Sequence, residues 1–220
     1  METPTSVISQ EHILYSLTAE FGNPGPWIET YTGRQFHFLA PELYLRSSPP
    51  SDIISDLARS LSCTTRFAGH CKYDWWVACH SVLLKRFVAQ QLFTEEADNH
   101  DLLLACLLHD AHEFATNDVA FPYKAMRGPI PKAIEKNIQA AIYAHFDIYL
   151  SIEEEDILQQ AECSVLKAEA RKLMSSGGEN WTWKFPNAVP ANDGSLLKIR
   201  DYPTKEAKHI YLEELGKFIV

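Results

Sequence analysis

From residue 52 onward the apolar positions recur with a helical period. Asp52 is placed to cap a helix with Ile53, Ile54, Leu57 and Leu61 on one face. Asp74 is placed to cap a longer one running through Trp75, Val77, Ala78, Val82, Leu83, Phe87 and Leu92. Asn99 opens a third, "DLLLACLLHDAHEF", whose first half is apolar nearly all round, the mark of a central buried helix. Pro131 suits the first turn of a fourth, reaching about Phe146. Ser151 followed by Glu154 is a capping box for a fifth, which runs to Met174 and stops at "SSGGEN". A looser stretch with two tryptophans and three prolines follows, and Thr204 begins a last helix with Ala207, Ile210, Tyr211, Leu215 and Phe218 on its apolar side.

The first 50 residues lack this regularity. "FGNPGPW" and "SSPPSD" are breaker clusters, and "WIETYTGRQFHFLAP" between them reads as a short hairpin turning at Gly33 or an extended arm. Strand signals are otherwise sparse, and there is no internal repeat. The expected fold is all-α: one helical domain over 51–220, with residues 1–50 forming an irregular N-terminal arm packed on it.

Composition narrows the function classes. The chain has 220 residues, a net charge of −9 and no block of Lys or Arg, which argues against binding to a nucleic acid duplex. A small anionic substrate remains compatible with a locally positive pocket. The five cysteines, at 63, 71, 79, 106 and 163, form no CxxC pair, so a reducing compartment without disulfides is expected. Cys71 and Cys79 flank a His-rich stretch, leaving thiolate ligation of a metal as a minor alternative. No signal-like segment and no apolar run of membrane-spanning length is visible, so a cytoplasmic protein is expected.

The chemistry concentrates in "LLHDAHEFATND", Leu107 to Asp118, where histidines and acids follow directly on an apolar helix face. Such groups are costly beside a core unless they are paired or bind something. In a continuous helix His109 and Glu113 share a face, and Asp110 lies about 100° around the axis from His109. One metal ion held by His109 and Asp110 accounts for the pair. Further ligands are expected from neighbouring helices: His80 in "WVACHSVLL" and an inward acid of the fifth helix, Glu162 in "QQAECSVLKAEA". Mixed nitrogen and oxygen ligation suits a transition metal, with Mn, Co or Zn expected, and leaves room for water and a phosphate oxygen.

His…HisAsp…acid at this spacing resembles the HD-domain metal phosphohydrolases. "HDAHEFATNDVAFPYK" is similar to the corresponding segment of bacterial 5′-deoxynucleotidases and their phage relatives, and "RFAGHCKYDWWVACHSVLL" to the stretch in which an Arg precedes the first metal His by about fourteen residues. "WIETYTGRQF" and "AEARKLM" look like phage-encoded members, among them dATP triphosphohydrolases. The resemblance covers roughly residues 26–220. It implies a single HD-type helical bundle, a cytoplasmic location (the host cytoplasm if phage-encoded), self-association and a deoxynucleotide substrate. It further implies Glu113 and Asp118 as catalytic acids, one handling the attacking water and one the leaving oxygen, and Arg66 as a phosphate ligand. The specific reaction expected is dATP to deoxyadenosine and triphosphate; hydrolysis of deoxynucleoside monophosphates is the alternative. The family's last ligand is usually Asp where this chain has Glu162; Asp156 and Glu169 are the fallbacks. A non-catalytic nucleotide-binding protein is the reading from another class, and it rests on that one departure.

Lys124 adds a point charge for phosphate, or is a surface lysine. Phe67, beside Arg66, is the foremost candidate to meet base or sugar, with Trp27, Trp75 and Trp76 as weaker ones against core packing. His112 is expected to face away from His109 into solvent, and His70 to brace the loop after Arg66.

Overall fold

The computed structural model describes residues 9–92, 99–179, 181 and 198–219. Its helices are α1 (Gln10–Phe21), α2 (Pro41–Ser47), α3 (Pro50–Leu61), α4 (Val77–Leu92), α5 (His100–Leu108), α6 (Glu113–Thr116), α7 (Phe121–Met126), α8 (Ile130–His145), α9 (Ile152–Leu173) and α10 (Thr204–Leu215). Two short strands, β1 (Trp27–Glu29) and β2 (Gln35–His37), pair antiparallel with Ile28 opposite Phe36. The fold is therefore mostly helical, as the periodicity predicts. No helix among the described residues is long and apolar enough to cross a membrane. Most of the loose stretch after α9 lies outside the described residues.

At the centre is α5, buried at every position from Leu102 to Leu108. It packs chiefly on α4, whose first two turns, Val77 to Leu84, are also fully buried, and more lightly on α9 and α10. Leu57 and Leu61 of α3, Val165 and Leu173 of α9 and Tyr211 of α10 close the same core. Each such side chain contributes about 1.5–3 kcal/mol by leaving water. The capping box of α9 forms in full: Ser151 Oγ accepts from the Glu154 amide at 3.2 Å, and Glu154 accepts from the Ser151 amide at 2.8 Å.

Residues 9–50 are more regular than the sequence suggests. Ser9 caps α1, Gly22 ends it at φ 79°, and its Ile13 and Leu17 pack on Ala133 of α8. The hairpin turns at Gly33, φ 81°, as expected. It delivers Phe36, fully buried, against Tyr44 of α2 and Phe114 of α6. Asp56 of α3, almost fully buried, gathers this segment: it accepts from the Thr32 amide (2.8 Å), the Thr32 hydroxyl (2.8 Å) and the Tyr44 hydroxyl (2.7 Å).

Two helix starts differ from expectation. α3 begins at Pro50, so Asp52 lies in its first turn and pairs with Arg34 at 2.8 Å instead of capping. α4 begins at Val77, because residues 74–76 are extended: Arg66 N–H bonds Trp75 O (3.0 Å) and Val77 N–H bonds Thr64 O (3.0 Å). Those bonds keep Asp74 from capping and bring Arg66 alongside the base of α4.

Candidate metal centre

The third predicted helix does not run through to Phe114. α5 ends at Leu108, and the next residues tighten into i+3 bonds: Ala111 N–H to Leu108 O (3.0 Å) and Glu113 N–H to Asp110 O (3.0 Å). A helix end leaves four carbonyls without intrahelical partners. Here each has a donor: Tyr143 hydroxyl on Ala105 O (3.3 Å), His109 Nδ1 on Cys106 O (2.9 Å), Tyr211 hydroxyl on Leu107 O (3.2 Å) and Gln139 Nε2 on Leu108 O (2.7 Å). The break is thus held by α8, α10 and His109 itself. It replaces the shared helical face expected for His109 and Glu113 with a turn that aims His109 and Asp110 at one point.

His80, fully buried on α4, meets them there. Its Nδ1 lies 2.8 Å from Glu169 Oε1, and a carboxylate only accepts, so Nδ1 carries the hydrogen. A carbonyl likewise only accepts, so His109 Nδ1 donates to Cys106. In the neutral rings both Nε2 lone pairs therefore point inward. They lie 3.1 Å apart, with Asp110 Oδ2 3.1 Å from His109 Nε2 and 3.7 Å from His80 Nε2. Three lone-pair donors converging in this way repel one another unless a cation lies among them. All three ligand atoms fall within 4.8 Å of each other. The set, two imidazoles and a carboxylate, fits a divalent transition metal.

Burial alone would raise the Asp110 pKa, but His109, Arg66 and His80 outweigh it and hold the carboxyl well below its usual range. Burial would lower that of His109, and Asp110 reverses it upward.

Arg66 comes from a turn under backbone strain. Phe67 and Ala68 both take left-handed φ, 54° and 53°, at a typical cost of about 1–3 kcal/mol each. The turn is held by the Phe67 amide donating to Asp118 Oδ2 at 3.3 Å. The buried guanidinium faces Asp110 and Asp118 from NH1 (3.5 Å each) and Glu169 from NH2 (3.4 Å). Its charge is fixed: burial opposes it, but the surrounding acids push the pKa up. Glu113 lies buried with Oε2 unpaired. Burial first, then the charges of Asp110 and Asp118, raise its pKa well above the usual carboxylate range.

His80, His109, Asp110, Arg66, Glu113 and Asp118 are thus brought together. Glu162, half-buried on α9, stands outside the three-donor group, although its charge contributes to the raised pKa of His109. Asp156 is exposed near the start of α9. Lys124 on α7 pairs with Glu135 of α8 at 2.8 Å, and its charge reaches Glu113. The Phe67 ring lies 5.4 Å from the Arg66 guanidinium and 5.7 Å from the Trp181 ring. Trp75 and Trp76 hydrogen-bond inside the fold, to Glu169 (2.7 Å) and Tyr202 O (2.6 Å), whereas Trp27 is half-exposed on the hairpin. His112 is not solvated: it packs against α8, its amide 3.2 Å from Gln139 Oε1, and burial lowers its pKa. His70 is exposed. The thiols of Cys71 and Cys79 are pushed up to about 11 and about 12, mainly by burial, and neither joins the donor group.

Sequence reasoning marked Glu169 only as a fallback ligand. Its position seven residues after Glu162, close to two helical turns, was the signal that it lies on a similar side of α9. It missed the carbonyl caps of α5 altogether.

Fold and site together define a helical bundle with a convergent His–His–Asp donor set backed by a buried arginine. The uncharacterized protein YfdR of Escherichia coli K12 is 30% identical to this chain over 167 residues, 76% of this chain and 82% of YfdR, and the chain belongs to its family. An uncharacterized protein of Rhodobacter capsulatus is 30% identical over 125 residues, 56% of this chain and 59% of that protein. No family model matches the chain.

Proposed function

We propose that this chain is a divalent-metal-dependent phosphohydrolase acting on deoxynucleoside 5′-phosphates, of the HD-domain type its sequence resembles, and working in the cytoplasm. The observation that carries the reading is the convergence of His80 Nε2, His109 Nε2 and Asp110 Oδ2 beside the buried Arg66. These three residues would hold the ion, with Glu162 as the candidate fourth donor. A bound Mn, Co or Zn would supply Lewis-acid polarisation of a phosphoryl oxygen and a more acidic water.

The chain's own groups do the rest. Arg66 offers N–H groups to phosphate oxygens. Glu113, buried beside the donor set with one carboxyl oxygen unpaired, takes the proton of the attacking water. Water oxygen bonds to phosphorus, the P–O5′ bond breaks, and a proton passes to the leaving O5′. Asp118, oriented by Arg66 and the Phe67 amide, positions that transfer. Phe67, with Trp181 beside it, offers an aromatic face to base or sugar.

Sequence resemblance points to dATP as substrate, with release of triphosphate. A second reading, hydrolysis of deoxynucleoside monophosphates, is favoured by the charges around the site. Arg66 already faces three carboxylates, and Lys124 is paired with Glu135, which suits two phosphate charges better than four. Incubation with each dNTP and dNMP in Mn, Co and Zn separates the readings: triphosphate supports the first, orthophosphate from monophosphates the second. Nucleotide and metal binding without product would leave a non-catalytic binding protein. Neither product nor binding would remove the proposal.

A further inference from the structure

We propose that Glu169 is a positioning residue: it fixes the tautomer of His80 and joins the metal donors to the phosphate-binding Arg66. The inference rests on the reading above.

Glu169 is fully buried in the last turns of α9, and both its oxygens are engaged. Oε1 receives two hydrogens, from His80 Nδ1 at 2.8 Å and from the indole nitrogen of Trp75 at 2.7 Å. Oε2 faces Arg66 NH2 at 3.4 Å. A neutral imidazole carries one N–H, and in water that hydrogen prefers Nε2. On His80 such a hydrogen would project at His109 Nε2, 3.1 Å away, and block donation to a metal. Glu169 reverses the preference by giving Nδ1–H a buried acceptor, and its charge makes Nε2 a stronger donor. Trp75, itself 1% exposed, holds the accepting oxygen in place. The same carboxylate balances Arg66, so one side chain sets the aim of a metal donor and of the group that would grip phosphate. With its oxygens already engaged, Glu169 acts through His80 and not as a ligand.

The test uses the full chain and three variants, Glu169→Gln, Glu169→Leu and Trp75→Phe, with circular dichroism and thermal melting as fold checks. Nitrogen-15 NMR of the histidine side chains, with His80 assigned through His80→Gln, reads the tautomer without metal. Zinc titration by calorimetry reads affinity. In the wild type His80 is expected as the Nδ1–H tautomer. Glu169→Gln keeps that tautomer, because the amide oxygen still accepts. It places an N–H₂ against Arg66 and removes the charge, and weakens zinc binding about 10- to 100-fold. Glu169→Leu loses the tautomer and more affinity, and Trp75→Phe falls between wild type and Glu169→Gln. Unchanged tautomer and unchanged zinc affinity in a folded Glu169→Leu would overturn the inference while leaving the metal reading intact. A wild type that binds no zinc would overturn the metal reading, and the tautomer measurement would still decide the role of Glu169. Should Glu169→Leu fail to fold, unchanged zinc affinity in Glu169→Gln overturns the inference.

Discussion

His80 and His109 face each other Nε2 to Nε2 at 3.1 Å, and the other nitrogen of each ring is already committed to an acceptor. A ligand that binds the folded chain alone stabilises it by mass action, by about 2.7 kcal/mol at a hundredfold excess over Kd. For a chain of this size that corresponds to about 5–10 °C in Tm. Thermal melts with manganese and with chelator are expected to differ by this amount in the wild type. Asp110→Asn and His109→Ala should abolish the difference; a full metal-dependent shift in both would contradict the assigned donors.

Glu113→Gln is expected to lower kcat about 10²- to 10⁴-fold, the usual share of one acid–base group. It should also stabilise the chain, with a particular pH dependence. Burial and the charges of Asp110 and Asp118 raise the folded pKa above the ordinary 4.5. Below 4.5 both folded and unfolded chains hold the proton, and the variant matches the wild type. As pH rises through the folded pKa the wild type must ionise a buried acid and loses stability, which the amide avoids. Melts in chelator from pH 4 to 8 check this; a variant less stable than wild type throughout the range would refute it.

Arg66→Lys keeps the charge but not the fork that reaches Asp110 and Asp118 from one nitrogen and Glu169 from the other. Losing one charge-assisted hydrogen bond to phosphate, worth about 1.5–3 kcal/mol, should lower kcat/KM about 10- to 100-fold. Arg66→Ala leaves those acids without their cation and should cost about 3–5 kcal/mol of stability. Steady-state kinetics and urea melts separate the effects; normal kinetics in the lysine variant would exclude Arg66 from substrate binding.

A second buried charge cluster, which shares no residue with the proposed site, gives a control. Glu214 of α10 pairs with Lys85 (3.2 Å) and Arg86 (2.5 Å) of α4 and with Lys217 (2.9 Å). Burial raises its pKa, but the bonds from Lys217 and Arg86 and the charge of Lys85 bring it down to about 2. Its contribution is present above the ordinary 4.5 and is lost as pH falls toward about 2. Glu214→Gln should therefore cost about 3 kcal/mol at neutral pH, and less at each step down from pH 4.5. Activity per folded molecule should not change.

How far the sequence could be read depends on where the partners lie along the chain. The last helices were legible because their signals are local: Ser151 and Glu154 are three residues apart, and Thr204 opens α10 where expected. α1 carried similar signals in Ser9, Ile13, Leu17 and Gly22, but its apolar face is narrow and flanking breakers obscured it. The break after Leu108 was not legible, because three of its four carbonyl donors, Tyr143, Gln139 and Tyr211, arrive from 31 to 104 residues away. A separation of 27 residues likewise hid the burial of His112 against Gln139. His80, His109 and Asp110 were readable as a group because polar donors on two strongly apolar helices have few other reasons to be there. The partnership of Glu169 with Trp75, 94 residues earlier, has no local trace.

The three donors gathered on Asp56 bear on where the chain can be cut. Thr32 and Tyr44, which supply them, both precede residue 51. A version begun at that point would lose all three donors to Asp56 and uncover the surface of Phe114 on which Phe36 packs. Hairpin and bundle are therefore expected to melt in a single cooperative step, and the leading segment behaves as a wall of the domain and not as a detachable appendage.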